Sequence, residues 1–228
     1  MGSSRIRLTI AYDSEAAEGF ETGWGFSVIV SKNGLNILFD CGWDGHMLRR
    51  NLGRMGYTLS SVSTVFLSHP HWDHISGLSE VLQDAPIRER LEVVLHEGFS
   101  HRMREEIGRR ARLTLVNGIQ EIVPGMWSSG ALGSDIREQA LVIPVKSGSM
   151  VITGCAHPGL SPILEIASEL RPVTILIGGF HDAKPSDFPE TLERLVLCHC
   201  TRAKTELLRS FPSVASLGRV GASYEFEI

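Results

Sequence analysis

The sequence lacks several features that would indicate a membrane, secreted or nucleic-acid-binding protein. No apolar run approaches the roughly 18–20 residues that a helix needs to cross a bilayer, and no hydrophobic secretory region follows Met1. The net charge is only −4, which provides no general attraction to nucleic acid or to acidic membranes. Four cysteines without a secretory region indicate thiols or ligands rather than a disulfide framework. These absences predict a cytoplasmic protein.

What is present is typical of a globular, soluble protein. The chain has 228 residues, of which 43% are hydrophobic and 21% charged, so it can bury a substantial core. No repeat, low-complexity tract or linker divides it, and we expect one domain over residues 1–228. The small negative charge favours a small-molecule substrate and argues against nucleic-acid and membrane partners; the sequence leaves the oligomeric state open.

Periodicity and turn residues predict strands alternating with helices, which indicates an α/β fold. The predicted strands are 5–12, 26–30, 35–40, 62–67, 91–96, 112–116, 119–123, 140–145, 150–153 and 173–177. The predicted helices are 43–55, 75–82, 99–110 and 162–170. Asn117-Gly118 is typical of a hairpin turn between its two flanking strands, and the Gly- and Ser-rich residues 126–135 predict a loop.

The densest group of chemically active side chains is residues 68–74, Ser-His-Pro-His-Trp-Asp-His, directly after a β-branched apolar run. His69 and His71 lie two apart and can face one centre, whereas Asp73 and His74 can face a neighbouring one. Neutral imidazoles and a carboxylate are ligands that suit zinc, iron(II) or manganese. A polar surface turn is the alternative, but four potential ligands in six positions after a strand favour a metal site.

The second half of the chain offers further histidines in a similar context. His157, His181 and His199 each follow an apolar β run, so all three are expected at one edge of a sheet. One such histidine could be a buried structural residue. Three in the same context indicate a shared role, because a metal site needs ligands from distant segments.

Two motifs in the sequence resemble those of the metallo-β-lactamase superfamily. They are His-x-His-x-Asp-His at residues 69–74 and Leu-Phe-Asp-Cys-Gly at residues 38–42. The resemblance implies a four-layer αβ/βα sandwich. It also places Asp40 beneath the metal site, where its carboxylate would accept a hydrogen bond from a ligand histidine and fix the tautomer of that ring.

The sequence departs from the superfamily pattern in two places. Cys155 stands where relatives usually have a metal-bridging aspartate, and it is either a thiolate ligand or a small packing residue. Many members also have a histidine in a Gly-His-Thr loop, but no histidine lies between His101 and His157 here. Either His157 replaces that ligand, or Glu138 does, or one metal site is incomplete.

From this resemblance we hypothesise two cation sites, one held by His69, His71 and His157. The other would be held by Asp73, His74 and His199, with Cys155 a further candidate ligand. Two divalent metal ions are therefore expected, with zinc favoured and manganese, iron or magnesium as alternatives.

Two further predictions concern the cysteines on either side of His199 and the role of His181. Because side chains alternate along a strand, Cys198 and Cys200 are expected to face away from His199 and to pack. His181 either ligates or faces the substrate as a proton donor.

The expected function is a metal-dependent hydrolase. Adjacent metals polarise a substrate oxygen and lower the pKa of bound water, so that hydroxide is available near neutral pH. The substrate would be a small ester, lactone or phosphoester. Asp73 would bind metal and orient the nucleophile, and His181 would protonate the leaving group. Trp24 either forms a wall of the substrate pocket or packs in the core.

A second function follows from a more particular resemblance. The segments at 154–159 (Gly-Cys-Ala-His-Pro-Gly), 178–181 (Gly-Gly-Phe-His) and 199–201 (His-Cys-Thr), together with Asn51, resemble the subgroup that includes the archaeal dihydropterin ribofuranosyl-aminobenzene phosphate synthase. That resemblance implies a pterin-related synthase in which the metals bind a diphosphate leaving group. A redox or non-catalytic binding protein on the same fold is a third class, for which neither a flavin domain nor a carboxylate-rich site is apparent.

Overall fold

The computed structural model describes residues 5–84 and 91–228. Two seven-stranded mixed sheets pack face to face, and helices cover the outer face of each. This is the predicted four-layer αβ/βα sandwich.

The first sheet has the strand order β14-β1-β2-β3-β4-β5-β6. Its strands are β1 (Arg5–Tyr12), β2 (Ser27–Lys32), β3 (Leu35–Phe39), β4 (Thr64–Phe66), β5 (Glu92–His96), β6 (Arg112–Val116) and β14 (Ser223–Glu227). The second sheet has the order β13-β12-β11-β10-β9-β8-β7. Its strands are β7 (Gln120–Val123), β8 (Met126–Ser128), β9 (Leu141–Val145), β10 (Gly148–Thr153), β11 (Val173–Gly178), β12 (Arg194–Leu197) and β13 (Ala215–Leu217).

Helices lie on both sides of the paired sheets. Those on the first sheet's side are α1 (Gly45–Arg54), α2 (Trp72–Ile75), α3 (Leu78–Asp84) and α4 (His101–Gly108); those on the second sheet's side are α5 (Leu160–Ser168) and α6 (Lys204–Ser210). The Asp44 carboxylate caps α1 by accepting from the His46 and Met47 amides at 2.8 and 3.1 Å. None of the helices in the described part of the chain is both long and apolar enough to span a membrane.

The hydrophobic core forms three layers because each sheet is apolar on both faces. Between the sheets, Phe39 and Phe66 stack with ring centroids 5.4 Å apart, and Ile152 and Ile177 of the second sheet belong to the same buried cluster. The two outer clusters bury the apolar sides of α1, α3 and α4 against the first sheet and of α5 and α6 against the second.

Parallel strands bring the predicted site residues to one edge. Strands β3 to β6 run parallel in the first sheet, and β10 to β13 run parallel in the second. The loops after β3, β4, β10, β11 and β12 therefore leave the carboxyl ends of parallel strands, where α/β proteins commonly bind ligands.

Two local predictions were wrong. The Asn117-Gly118 segment does not close a hairpin: β6 is the edge strand of the first sheet and β7 that of the second, so the chain crosses between sheets there. The predicted loop 126–135 begins with β8, because Met126 and Ser128 are buried and the strand pairs with β7 and β9. The predicted hairpins β2–β3 and β9–β10 are confirmed.

Candidate metal centre

The loop after β4 and the short helix α2 carry the contiguous part of the site. His69 is fully buried and His71 is half-buried in the loop, whereas Asp73 and His74 lie on α2. The His74 amide donates to the His71 carbonyl at 3.0 Å, which fixes the turn between the two pairs.

Asp40 organises this loop from below. Its backbone has φ +53°, an uncommon conformation for a non-glycine residue. One carboxylate oxygen accepts from the Ser68 amide at 2.7 Å, and the other accepts from Ser68 Oγ and from His74 Nδ1, both at 2.6 Å. His74 therefore carries its proton on Nδ1 and presents a free Nε2 lone pair. Burial alone would lower the pKa of His74, but the Asp40 carboxylate more than offsets this and raises it. The raised pKa strengthens the ring as a ligand.

The same carboxylate sets the tautomer of His69 through Ser68. Because the Ser68 hydroxyl donates to Asp40, its oxygen is left to accept from His69 Nδ1 at 2.8 Å. The His69 Nε2 lone pair then points toward His71. Burial holds the pKa of His69 well below its usual value, so the ring is neutral, which is the form that binds a cation.

Three histidine nitrogens converge in the first ligand group. His71 Nδ1 lies 3.1 Å from His69 Nε2 and 3.1 Å from His157 Nε2. Burial lowers the pKa of His71, and it lowers that of His157 to about 4. These residues come from loops of different sheets, and the structure brings them together as the hypothesis requires.

Glu138 supports the loop that carries His157. One carboxylate oxygen of this fully buried residue accepts from the amides of Gly154, Cys155 and Ala156 at 2.9 to 3.0 Å, and the other accepts from the His157 amide at 2.9 Å. Burial raises the pKa of the Glu138 carboxyl, and these donors oppose the rise. Glu138 thus fixes a backbone loop, a role that the sequence did not indicate, instead of replacing a ligand.

The second ligand group joins α2 to the loop after β12. Asp73 Oδ2 lies 2.9 Å from His199 Nε2 and 3.8 Å from His74 Nε2. Although burial opposes it, the His199 hydrogen bond lowers the pKa of Asp73 to about 2, with the neighbouring histidine charges adding to the effect. The carboxylate is ionised at neutral pH.

His199 is held differently from the other rings. The buried Asp13 carboxylate accepts from the His199 amide at 3.1 and 3.2 Å, and the residue has φ +29°. The Gly25 amide donates to His199 Nδ1 at 3.2 Å, so the ring proton lies on Nε2 and is donated to Asp73. To bind a cation through Nε2, His199 must transfer that proton and release the Gly25 amide. Asp13 was not predicted as a site residue, and its loop context gave no indication of this contact.

Cys155 lies between the two groups. Its buried sulfur is 3.2 Å from His74 Nε2, and it forms a possible ligand set with His69 and His74. The sulfur is therefore within reach of one member of each donor group, His69 of the first and His74 of the second.

The prediction that Cys200 packs away from the site was wrong. Its Sγ lies 3.1 Å from Cys155 Sγ. The prediction assumed strand alternation through residue 200, but β12 ends at Leu197 and the positive φ of His199 reverses the backbone. Cys198, in contrast, packs in the core between the sheets as predicted.

His181 lies beside the first group and outside it. Its ring centroid is 4.5 Å from that of His157, and its hydrogen bond with Cys200 raises its pKa. His181 also lines a cavity of about 250 Å³, together with the apolar Leu160 and Phe180 and the acidic Asp182 and Asp187. This location suits a group that faces substrate.

Trp24 is a surface residue, which excludes the core-packing alternative that the sequence left open. Its side chain is 59% exposed, and its ring centroid is 4.5 Å from that of His199. Trp24 therefore covers the outer side of the second group.

The donor atoms fit divalent cations. Each group offers three nitrogen or oxygen donors within 4.8 Å of one another, and Cys155 adds sulfur, which together match the ligand preferences of zinc. The second group also requires the proton shift at His199.

Fold and donor arrangement together define the class of protein. The sequence model of the metallo-beta-lactamase superfamily matches residues 24–198, and the chain belongs to this superfamily.

Two curated relatives and one solved structure extend this result. The chain is 26% identical over 210 residues to the uncharacterized protein MJ0448 of Methanocaldococcus jannaschii, covering 79% of this chain and 81% of that protein. It is 24% identical over 241 residues to the 7,8-dihydropterin-6-methyl-4-(beta-D-ribofuranosyl)-aminobenzene-5'-phosphate synthase of the same organism, covering 81% and 82%. The crystal structure of Tm1679, described as a metal-dependent hydrolase of the beta-lactamase superfamily, superposes with a TM-score of 0.80 at 26% identity, covering 98% of this chain and 100% of that one.

Proposed function

We propose that this protein is a hydrolase that uses two divalent cations, preferably zinc, to cleave a small-molecule ester, lactone or phosphoester. The main support is the convergence of two three-residue donor groups at the carboxyl edge of both sheets. The likeness to Tm1679 over nearly the whole chain supports the same class of reaction.

The chain's own residues would divide the work. Bound cations would supply Lewis-acid activation of water and of a substrate oxygen. Asp40 and Ser68 hold His69 and His74 in the tautomers that leave Nε2 free. The ionised Asp73 carboxylate would bind a cation and accept a hydrogen bond from the attacking water.

His181 would donate a proton to the leaving group. Its pKa is raised by its Cys200 neighbour, which favours the protonated ring near neutral pH. The cavity beside it has room for a small leaving group, with an apolar floor of Leu160 and Phe180.

Metal analysis of purified variants tests the two ligand groups. We expect about two zinc equivalents in the wild type and the loss of one in both His157→Ala and His199→Ala. His101→Ala, which changes an exposed histidine on α4, is the matched control and should keep both. Unchanged zinc in His157→Ala would overturn the ligand assignment. A zinc-loaded protein with no turnover on phosphodiester, lactone and ester substrates would overturn the hydrolase.

A pterin-related synthase is the second candidate, favoured by 24% identity that covers four-fifths of both chains. Asn51, a residue of that resemblance, is buried and holds the Glu21 backbone by accepting from its amide at 3.0 Å and donating to its carbonyl at 2.9 Å. Release of pyrophosphate from a pterin diphosphate and an aminobenzene ribosyl phosphate would identify this activity. Hydrolysis without condensation would exclude it.

A further inference from the structure

Two cysteine sulfurs adjoin the candidate metal centre, and neither reacts in the proposed hydrolysis. Cys155 Sγ lies 3.2 Å from His74 Nε2 on one side and 3.1 Å from Cys200 Sγ on the other. Cys155 therefore belongs to two alternative sets, one with His69 and His74 and one with His181 and Cys200. The remaining cysteines, Cys41 and Cys198, are buried in separate hydrophobic clusters.

Backbone contacts hold the two sulfurs together. The Gly179 amide donates to the Gly154 carbonyl at 3.1 Å, and the Arg202 amide donates to the His181 carbonyl at 3.0 Å, so the three strand-end loops are joined. Gly179 also leaves the space that the Cys200 sulfur fills, because a Cβ added there would collide with that sulfur. The sulfurs lie 3.1 Å apart, and a bond of about 2.05 Å needs them to move about 1 Å closer.

The two thiols differ in access. Cys155 is only 1% exposed, whereas Cys200 is partly exposed. A small oxidant reaches Cys200 first and meets Cys155 as the neighbouring thiol, which is the arrangement of a reactive cysteine and its resolving partner.

We propose that Cys155 and Cys200 form a reversible disulfide when the protein meets a peroxide. Hydrogen peroxide oxidises the Cys200 thiol to a sulfenic acid and releases one water. The Cys155 sulfur then attacks the Cys200 sulfur, the S–O bond breaks, and a second water leaves. The two thiols lose two electrons and two protons in total, and a dithiol reductant reverses the reaction.

The disulfide has a consequence for the metal centre, and this part rests on the proposed function. A Cys155 sulfur bonded to Cys200 is no longer a thiolate ligand for a cation beside His69 and His74. We expect zinc affinity at that position to fall at least ~10-fold on oxidation, as when a residue that supports a metal ligand is lost.

The disulfide is tested on reduced, EDTA-treated protein, so the result does not depend on metal binding. After peroxide treatment and alkylation, intact mass should show the loss of two hydrogens. Trypsin releases Cys155 within residues 147–194 and releases Cys198 and Cys200 together within residues 195–202. The matched control Cys198→Ala makes the cross-linked peptide unambiguous and should form the disulfide, whereas Cys200→Ser and Cys155→Ser should not.

The metal consequence is tested separately on zinc-loaded protein with a chromophoric chelator. Peroxide should release zinc from the wild type and from Cys198→Ala, but not from Cys200→Ser. Addition of oxygen without loss of hydrogens, or a link through Cys198, would overturn the disulfide. A disulfide that forms with zinc fully retained would overturn its competition with metal binding while leaving the proposed hydrolase intact.

Discussion

Two buried carboxylates organise the two halves of the site in different ways. The Asp40 half is residues 68–74, which follow a strand of the first sheet, and the Glu138 half carries His157, His181 and His199 on loops of the second sheet. Asp40 accepts hydrogen bonds from the Ser68 hydroxyl and from a ring nitrogen of His74, in addition to the Ser68 amide. Glu138 accepts only backbone amides, from four consecutive residues that end at His157.

The difference separates two kinds of support. Asp40 controls which nitrogen of each ring carries the proton, and so it acts on the chemistry of the ligands. Glu138 controls where the loop lies, and so it acts on the shape of the backbone. Changes at the two carboxylates should therefore affect metal affinity and stability in opposite proportions.

Removal of Glu138 should have the largest effect. Glu138→Ala leaves four amides, three of them in buried residues, without an acceptor and should lower the free energy of unfolding by at least about 4 kcal/mol. Glu138→Gln keeps one acceptor oxygen, but its side-chain NH2 group then faces the His157 N–H. The free energy of unfolding should therefore fall by about 1–3 kcal/mol. Urea unfolding of the metal-free proteins measures both. A Gln variant as stable as the wild type would mean that the amides need no charged acceptor.

Asp40→Asn should lower zinc affinity more than it lowers stability, the reverse of the Glu138 variants. The Asn amide would donate to His74 Nδ1, which moves the ring proton to Nε2, where it faces the metal centre. We expect zinc affinity to fall ~10–100-fold, as measured by competition with a chelator. The effect on unfolding should be smaller than that of Glu138→Ala, because the Ser68 amide keeps its acceptor. Equal losses of stability in the two variants would remove the distinction.

His96 supports the Asp40 half through the backbone, and its ionisation should appear as acid sensitivity. Its buried ring donates from Nε2 to the Ser68 carbonyl and accepts the Gly98 amide at Nδ1, both at 3.1 Å. Burial lowers the pKa of His96 from 6.5 to about 4. The unfolded chain therefore binds the proton first, so the stability is fully present above the unfolded pKa and is lost as the pH falls toward the folded one.

The expected loss from His96 is about 2 kcal/mol between pH 7 and pH 5. His96→Gln keeps an N–H donor but cannot titrate, and it should reduce the difference in unfolding free energy between these pH values by that amount. The exposed His101→Gln is the control and should leave the difference as in the wild type. An unchanged pH dependence in His96→Gln would show that other groups cause the acid sensitivity.

Trp24 covers the Glu138 half from outside and should contribute least to stability. Because the side chain is 59% exposed, Trp24→Ala should change the unfolding free energy by less than about 0.5 kcal/mol. Its contact with His199 should make it the main reporter of zinc binding by intrinsic fluorescence. The exposed Trp43 and Trp72 provide matched Ala controls. If either control abolished the zinc response and Trp24→Ala kept it, the reporter would be elsewhere.

The Asp40 half was largely predictable from sequence because its functional residues are close together in the chain. The segment 68–74 places its ligands through one loop and one helical turn, and Asp40 directly follows the neighbouring strand β3. The histidines of the other half were predictable as strand-end residues. The residues that hold these histidines in place were not predictable, since Glu138 acts through backbone amides and Asp13 contacts a residue 186 positions away.

The wrong predictions share a physical cause. Asn117-Gly118 specifies a turn, but a turn does not specify which sheet the next strand joins. Cys200 was assigned by strand alternation, which ends where the backbone leaves the strand at Leu197. In both cases a local rule was extended beyond the residues to which it applies.

Each donor group takes its members from loops of both sheets, with the chain crossing from one sheet to the other near residue 118. A half-assembled chain with one sheet formed would complete neither of these two donor groups. Under the proposed function, zinc at the two groups therefore binds only molecules in which both sheets are in place, and by mass action it would raise their stability by about 2.7 kcal/mol at a hundredfold excess over the Kd. Cellular zinc supply would then help to determine how much of this protein survives quality control.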